Sequence, residues 1–311
     1  MSLVITDLTK KYGDKTVVDH LSFSIEKPGV FALLGTNGAG KSTTIRMMLG
    51  MLSKNEGTVL WKGKPLDSIT ASVGYLAEER GLYPKYNLMD QLLYFAKLKN
   101  VPKKEAQERI KEYAKKLDVE MYLYPEPVVK GKKVKPYKAE QLSKGNQQKI
   151  QLLAALISDP ELLILDEPLS GLDPVNTDVF KEIIREEIAK GKFIIMSSHQ
   201  MSTIEEFCED IVILNQGKSV LQGNLNEIKK SYGRVNLLVK CEGNIDPMIE
   251  ELGLKLVNKT PNEYHIKVSK EEDATLLLAK IMEAKLPVIK FEIREPSLHE
   301  IFVEKVGHEE K

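Results

Sequence analysis

The sequence predicts an α/β fold for most of the chain and a smaller α+β unit at its C-terminal end. Apolar runs at Val30–Leu34, Leu162–Leu165 and the start of Phe193–His199 suit strands that are buried on both faces. Each run leads into small, charged or polar residues, at the position where open α/β sheets place their ligands. After about residue 225 the pattern changes to short alternating strands and amphipathic helices, which favours a second domain.

Composition limits the possible roles of the chain. Its 311 residues are 42% hydrophobic and 29% charged, as in an ordinary soluble protein. Basic and acidic residues number 45 each, so nothing in the balance calls for nucleic acid as a partner. Cys208 and Cys241 lie in dissimilar contexts, which fits a reducing cytosol. We expect no signal peptide, and the apolar runs are far shorter than the roughly 20 residues that cross a bilayer.

The first chemical motif is the glycine-rich stretch GTNGAGKSTT, Gly35–Thr44, which follows the first buried strand. It fits the pattern G-x-x-x-x-G-K-[ST], in which backbone N–H groups surround phosphate and a helix dipole adds positive charge. Lys41 is expected to neutralise phosphate charge and Ser42 to hold Mg²⁺. The residues expected to bind the nucleotide here are Gly35, Thr36, Asn37, Gly38, Ala39, Gly40, Lys41, Ser42 and Thr43. A plain glycine turn between a strand and a helix is the alternative.

A second motif, ELLILDEP, places two carboxylates at the end of a buried strand. We expect Asp166 to hold Mg²⁺ through its water shell. Glu167 is expected to orient or deprotonate the attacking water. Alone, the pair could equally end a strand and accept backbone hydrogen bonds, but the phosphate-binding motif upstream favours a catalytic role.

The stretch QLSKGNQQKIQLLAALISDP then resembles the signature region of the ATP-binding cassette family, the ATPase subunits of ABC transporters. The family pattern LSGGQ is matched at Ser143 and Gly145, whereas Lys144 and Asn146 depart from it. Ser143 is expected to cap a helix that runs to about Ser158, which creates a second anion site with the Gly145 N–H. The resemblance implies that this site faces the γ-phosphate held by another subunit. A simple helix cap is the alternative.

Other motifs of the same family follow in order. SGLDP resembles the D-loop, which implies that Asp173 reaches across a dimer interface. The histidine of FIIMSSH resembles the switch histidine, which implies that His199 contacts the γ-phosphate and holds water and Glu167 in place. Tyr12 stands where family members stack a ring on adenine, although an exposed turn tyrosine is the alternative.

One position departs from the family pattern. Where the family carries glutamine after a strand, this chain reads SVGYLAEE and has Glu78. A glutamate can ligate Mg²⁺ through oxygen but cannot donate an amide hydrogen bond. In the family that glutamine touches Mg²⁺ or the attacking water, and we hypothesise that Glu78 fills the same role with altered metal or pH dependence.

The resemblance implies an ABC-type nucleotide-binding domain over residues 1–225, with the P-loop NTPase fold and a helical subdomain over about 85–158. NLMDQLLYFAKLK and KKEAQERIKEYAKKL have helical spacing, and the family's subdomain presents a groove to the transmembrane subunit. The five lysines of Lys130–Lys138 suggest a lipid or nucleic-acid patch or, as we prefer, a solvated loop that leads into the signature helix.

The second domain, residues 226–311, has the predicted order βαββαβα, which is that of a ferredoxin-like α+β fold. Asp246 is predicted to cap a helix, and Ser297 with Glu300 forms a capping box. Ile289, Phe291 and Ile293 are predicted to share the buried face of a strand. The region resembles the C-terminal domain of some ATPase subunits of ABC-2-type exporters, and we expect it to be regulatory or an interaction surface.

As a whole, the resemblance implies an ATPase that binds ATP and Mg²⁺ as the motor subunit of an exporter. Two copies, or this chain with a similar partner, would enclose two ATP molecules and drive a separate transmembrane permease. The chain would then be cytoplasmic and peripheral on the inner face of the cell membrane, without a nucleic-acid partner. The alternative is a nucleotide-gated regulatory or binding module with incidental ATPase activity.

Overall fold

A computed structural model describes residues 2–66, 73–78, 81–125 and 135–307. Most of the lysine-rich segment Lys130–Lys138 lies outside these described residues. The chain divides into two compact units, Met1–Gln222 and Gly223–Lys311. Among the helices that the structure describes, none has the length and apolar content needed to span a membrane.

The first unit combines two sheets with helices. Its strands, with the last one running past the boundary of the unit, are β1 (Leu3–Tyr12), β2 (Lys15–Ile25), β3 (Gly29–Gly35), β4 (Glu56–Trp61), β5 (Lys64–Pro65), β6 (Val73–Leu76), β7 (Leu162–Asp166), β8 (Phe193–Ser198), β9 (Cys208–Asn215) and β10 (Lys218–Asn224). Its helices are α1 (Lys41–Met48), α2 (Leu88–Leu98), α3 (Lys103–Lys116), α4 (Glu120–Leu123), α5 (Lys144–Leu156), α6 (Pro174–Ala189) and α7 (Met201–Ile204).

The central sheet has the strand order β10-β9-β3-β8-β7-β6. Strands β9, β3, β8, β7 and β6 pair in parallel, which explains why β7 and most of β8 are buried along their length. Because parallel neighbours end at the same edge, the loops after β3, β7 and β8 meet there. The predicted phosphate-binding and carboxylate residues therefore lie at this edge of the sheet.

A second sheet, with the order β2-β1-β4-β5, is antiparallel and packs on the central one. Phe23 of β2 stacks on Phe31 of β3 with ring centroids 4.8 Å apart. Trp61 of β4 meets Phe193 of β8 edge to face at 5.2 Å. The two sheets therefore share one apolar core, which fixes the strand that carries the glycine-rich loop.

The helices between β6 and β7 form a layer beside the central sheet. Helix α2 begins at the Asn87 cap, whose side chain accepts the Met89 N–H, and it buries Leu88, Leu92 and Ala96. Helix α3 buries Ile110 and Tyr113 on one face, as its charged outer pattern predicts. Helix α5 packs against β6, so this layer is joined directly to the sheet.

The second unit contains α8 (Leu225–Tyr232), β11 (Asn236–Cys241), α9 (Asp246–Glu251), β12 (Lys255–Thr260), β13 (Glu263–Lys267), α10 (Glu271–Glu283), β14 (Val288–Arg294) and α11 (Leu298–Gly307). From β11 onward the element order is βαββαβα, as predicted. The sheet order β12-β13-β11-β14 with antiparallel pairing is that of a ferredoxin-like fold. The Ser297–Glu300 capping box is present, with Glu300 N–H donating to Ser297 Oγ at 3.2 Å.

Two local predictions in this unit are wrong. Asp246 is the first residue of α9, and Ile245 takes the cap position instead. The Asn244 side chain accepts the Asp246 N–H at 3.0 Å. Ile289 is 56% exposed, although Phe291 and Ile293 pack on the core. A register shift between β11 and β14 brings Val288 to the core in its place, because a bulge changes which residues face inward.

Candidate nucleotide and catalytic site

The glycine-rich loop leaves β3 at Gly35 and enters α1 at Lys41, as predicted. Gly40 has φ +105°, and a Cβ there would lie 2.8 Å from the Val17 carbonyl oxygen. Gly217 N–H donates to the Ala39 carbonyl at 3.1 Å, which holds the loop against the turn between β9 and β10. Thr36, Asn37 and Gly38 remain exposed at the tip, so their backbone groups are accessible to a ligand.

Lys41 is 5% exposed and lies within the loop. Its Nζ donates to the carbonyl oxygens of Gly35 at 2.8 Å and Thr36 at 3.3 Å. The same Nζ is 3.3 Å from Glu167 Oε1, an ion-pair distance without the angle of a hydrogen bond. The cation predicted from the glycine motif is therefore held beside the carboxylate predicted from the next motif.

Asp166 ends β7 and is 1% exposed. Its Oδ1 accepts hydrogen bonds from Ser42 Oγ at 3.2 Å and Ser197 Oγ at 2.5 Å. Its Oδ2 is buried and has no hydrogen-bond partner in the described part of the chain. A buried carboxylate oxygen without a partner is costly unless a ligand satisfies it.

Glu167 is 4% exposed, and its backbone has a φ of +50°. That left-handed conformation costs a non-glycine residue about 1–3 kcal/mol and is typical of functional sites. Its Oε2 is 2.8 Å from Nδ1 of His199, which is the first residue after β8. The strained backbone thus directs the carboxylate between Lys41 and His199.

The donor set fits magnesium. Asp166 and Ser42 offer hard oxygen ligands, and Asp166 Oδ2 is the orphaned buried atom that a hydrated cation would satisfy. The described residues contain no group of three His, Cys, Asp or Glu side chains arranged for a metal. This agrees with Mg²⁺ in phosphate sites, which uses one or two carboxylates together with waters and phosphate oxygens.

The signature residues lie in a second group. Ser143 caps α5, with its Oγ accepting the Asn146 N–H at 3.3 Å. A Cβ on Gly145 would lie 3.4 Å from Asn176 Nδ2, which leaves little room there for a side chain. Asp173 caps α6, and the Asn176 N–H that it accepts lowers the pKa of the Asp173 carboxyl. Gly145 and Asp173 therefore both lie beside Asn176, and Ser143 precedes Gly145 at the start of the same helix.

The two remaining predicted site residues, Glu78 and Tyr12, lie at or just after the ends of other strands of the first unit. Glu78 is exposed and follows β6, next to the strand that ends in Asp166. Burial raises the pKa of Tyr75 to about 12, and the carboxylates of Asp166 and Glu78 add to that shift. Tyr12 is 54% exposed at the end of β1, with Lys10 Nζ 5.0 Å from its ring centroid.

Sequence reasoning missed three residues that support these groups. Ser197 binds both Asp166 and Glu167, and Lys10 supports the Tyr12 ring. Gln148 Nε2 donates to the Pro168 carbonyl at 2.6 Å, which joins the signature helix to the loop after Glu167. Only Ser197 had a sequence signal, a hydroxyl two positions before His199; the other two follow from tertiary contacts.

Both units of the chain are similar to known proteins. Residues 18–170 match the family described as ABC transporter, and residues 223–306 match the family described as ATP-binding protein DrrA1-3-like, C-terminal domain. The uncharacterized ABC transporter ATP-binding protein YhaQ of Bacillus subtilis (strain 168) is 43% identical over 306 residues, covering 98% of both chains. The Nod factor export ATP-binding protein I of Bradyrhizobium diazoefficiens is 28% identical and covers 99% of this chain and 97% of its own.

A solved ATP-binding subunit of an ABC transporter superposes with a TM-score of 0.66 at 28% identity. It covers 75% of this chain and 94% of its own. The fold and the site define a phosphate-loop ATPase of the ATP-binding cassette class. The chain belongs to the ABC transporter ATP-binding protein family, whose members bind ATP, hydrolyse it and work with a transmembrane partner.

Proposed function

We propose that the chain is the motor subunit of an ABC exporter and that Glu167 is the general base for ATP hydrolysis. The observation that supports this most directly is the position of the Glu167 carboxylate, 3.3 Å from Lys41 Nζ and 2.8 Å from His199 Nδ1. A water molecule bound beside Glu167 donates a proton to the Glu167 carboxylate, and the oxygen of that water attacks the γ-phosphorus. The bond from phosphorus to the bridging oxygen breaks, and ADP leaves with that electron pair.

Lys41 has a second role in this proposal. Its cation now neutralises Glu167, and a triphosphate would offer it a higher density of negative charge. When Lys41 turns to the phosphates, Glu167 loses that ion-pair partner and keeps its contact with His199. Ser42 and Asp166 would hold Mg²⁺, which neutralises charge on the phosphate oxygens. Glu78 is proposed as a further oxygen ligand, and Tyr12 as the platform for adenine.

We further propose that ATP is bound between two nucleotide-binding subunits. Ser143 and Gly145 lie at the N-terminus of α5, and a helix N-terminus attracts an anion. Among the described contacts, no carboxylate of the same subunit occupies this end of α5. The γ-phosphate held by Lys41 of one subunit would satisfy it in the other. Asp173 would lie at the same interface. The mate is a second copy or a similar chain.

The transmembrane partner is proposed to dock in a groove between the helical layer and the sheet. The groove has a volume of about 660 Å³ and a mainly apolar lining, which includes Met51, Tyr75, Phe95, Leu98 and Ala154. An apolar groove of this size suits an inserted partner segment. Export is supported by the relative named for Nod factor export.

The domain limits 1–225 and 226–311 remain a proposal, as does an accessory role for the C-terminal part. The match of residues 223–306 to a DrrA1-3-like C-terminal domain supports the separate status of that part. The chain would then lie at the inner face of the membrane through its partner.

The test of the base assignment is the Glu167→Gln variant. We expect its turnover to fall about 10²–10⁴-fold, because the amide cannot accept the proton. It should still bind ATP and form an ATP-dependent dimer, measured by light scattering after size-exclusion chromatography. Lys41→Ala is the control that should lose both binding and dimer. Normal hydrolysis by Glu167→Gln would overturn the base assignment, and a monomer at saturating Mg-ATP would overturn the homodimer.

A further inference from the structure

Ser197 makes two hydrogen bonds that join the Asp166 and Glu167 groups. Its hydroxyl donates to Asp166 Oδ1 at 2.5 Å and accepts the Glu167 N–H at 2.9 Å. Ser197 is completely buried, so water does not compete for these bonds. One bond is made to a buried carboxylate and the other to the backbone of a strained residue, and at both positions a lost partner is costly.

Strand register explains why this serine is in place. Asp166 and Ser197 are direct partners in the parallel pair β7 and β8. Partners in register point their side chains to the same face of the sheet, whereas the next residue, Ser198, points to the other face. Accordingly the Ser198 hydroxyl accepts the Gln200 N–H at 2.9 Å.

The hydrogen bonds also assign the two oxygens of Asp166. Ser42 and Ser197 both donate to Oδ1, which uses the lone pairs of that atom. Oδ2 is left buried without a hydrogen-bond partner among the described residues. The carboxylate plane is thus fixed with one particular oxygen open to a ligand.

We propose that Ser197 is a positioning residue for ATP hydrolysis. Its hydroxyl fixes Asp166 so that Oδ2 receives the hydrated magnesium, and it stabilises the left-handed backbone of Glu167 that directs the general base. This inference depends on the proposed magnesium role of Asp166 and goes beyond it by assigning a residue that touches neither metal nor nucleotide.

The test uses the full-length protein with Ser197 replaced by Ala, Cys or Thr. Calorimetry measures ATP affinity with Mg²⁺ and with EDTA, and ATPase assays give the half-saturating Mg²⁺ concentration. For Ser197→Ala we expect ATP affinity in Mg²⁺ to fall about 10-fold and half-saturating Mg²⁺ to rise about 10-fold. ATP affinity in EDTA should stay within about twofold, since no metal is then involved.

The other variants separate hydrogen bonding from packing. Cysteine has nearly the size of serine but is a weak donor, so Ser197→Cys should fold as the wild type does and resemble Ser197→Ala in Mg²⁺ dependence. Ser197→Thr keeps the hydroxyl and should retain the wild-type Mg²⁺ dependence. Ser198→Ala removes a comparably buried hydroxyl from the other face and should leave the half-saturating Mg²⁺ unchanged.

Two results of the comparison between variants would overturn the inference. One is a Ser197→Ala protein whose Mg²⁺ dependence matches the wild type, and the other is full restoration by Ser197→Cys, which would indicate packing alone. If Mg²⁺ does not strengthen ATP binding even in the wild type, the magnesium role of Asp166 fails and this inference fails with it. If Mg²⁺ strengthens binding equally in the wild type and in Ser197→Ala, only this inference fails.

Discussion

At the scale of single residues, the departures from the family signature have local explanations. Asn146 replaces a glutamine of the LSGGQ pattern, and its Nδ2 donates to the Tyr122 hydroxyl at 2.9 Å. That bond ties the start of α5 to α4. Gln147, the next residue, donates to the Leu142 carbonyl at 3.0 Å and closes the turn before the helix. The altered signature therefore keeps the Ser143 cap and adds contacts within the helical layer.

Glu78 gives a prediction at this scale. If its carboxylate serves as an oxygen ligand where the family has an amide, Glu78→Gln should retain ATPase activity, because both side chains present an oxygen. Steady-state ATPase assays at several Mg²⁺ concentrations would measure this. Nucleotide binding by calorimetry is the control. Loss of turnover with intact ATP binding would mean that the negative charge itself is required.

At the scale of elements, buried polar groups join the helical layer to the sheet domain. Tyr113 of α3 donates to Glu187 Oε1 of α6 at 2.8 Å, and Lys190 Nζ lies 2.7 Å from the same oxygen. Glu187 is 1% exposed, so its charge depends on these partners. Burial, with the Glu187 carboxylate adding, raises the pKa of Tyr113 and keeps the phenol protonated as a donor.

Tyr113→Phe should therefore destabilise the protein by about 1–3 kcal/mol, the cost of leaving a buried carboxylate with one fewer donor. Urea denaturation followed by circular dichroism would measure the free energy of unfolding. Tyr94→Phe is the matched control, since Tyr94 is 51% exposed, and should change stability by less than about 0.5 kcal/mol. If the two variants changed the free energy of unfolding equally, the hydrogen bond between α3 and α6 would contribute nothing to stability.

At the scale of the whole molecule, the apolar groove is the surface at which we propose that the membrane partner docks. Leu98 lines it and is 57% exposed, so an aspartate there should be tolerated by the fold. Met121 of α4 is 63% exposed and does not line the groove, which makes Met121→Asp the matched control.

We expect Leu98→Asp to remain an ATPase in solution but to lose association with its transmembrane partner, because a charge buried in an apolar interface is costly. Co-expression with a candidate transmembrane partner, followed by membrane fractionation, would measure the association. Met121→Asp should stay with the membranes. If Leu98→Asp and Met121→Asp were found in the membrane fraction to the same extent, this groove would be excluded as the docking site.

Much of the fold was predictable because its signals are local. Buried strands, the glycine-rich loop, the Ser143 cap and the Ser297–Glu300 box each depend on residues within a few positions of one another. The order βαββαβα of the C-terminal unit could be predicted for the same reason. The bulge that exposes Ile289 could not, since it depends on the pairing of β14 with β11.

The sequence by itself determined the class of protein. The spacing of Gly35, Gly40, Lys41 and Ser42 specifies a phosphate loop through backbone chemistry, and the stretch around Ser143 and Gly145 carries the resemblance to the ATP-binding cassette family. Only the tertiary structure decided how the carboxylates are held. Asp166 and Ser197 are far apart in sequence, and the register of β7 and β8 brings them together. The physical reason is that a loop motif is encoded by consecutive residues, whereas a hydrogen bond across strands depends on which residues the sheet places side by side.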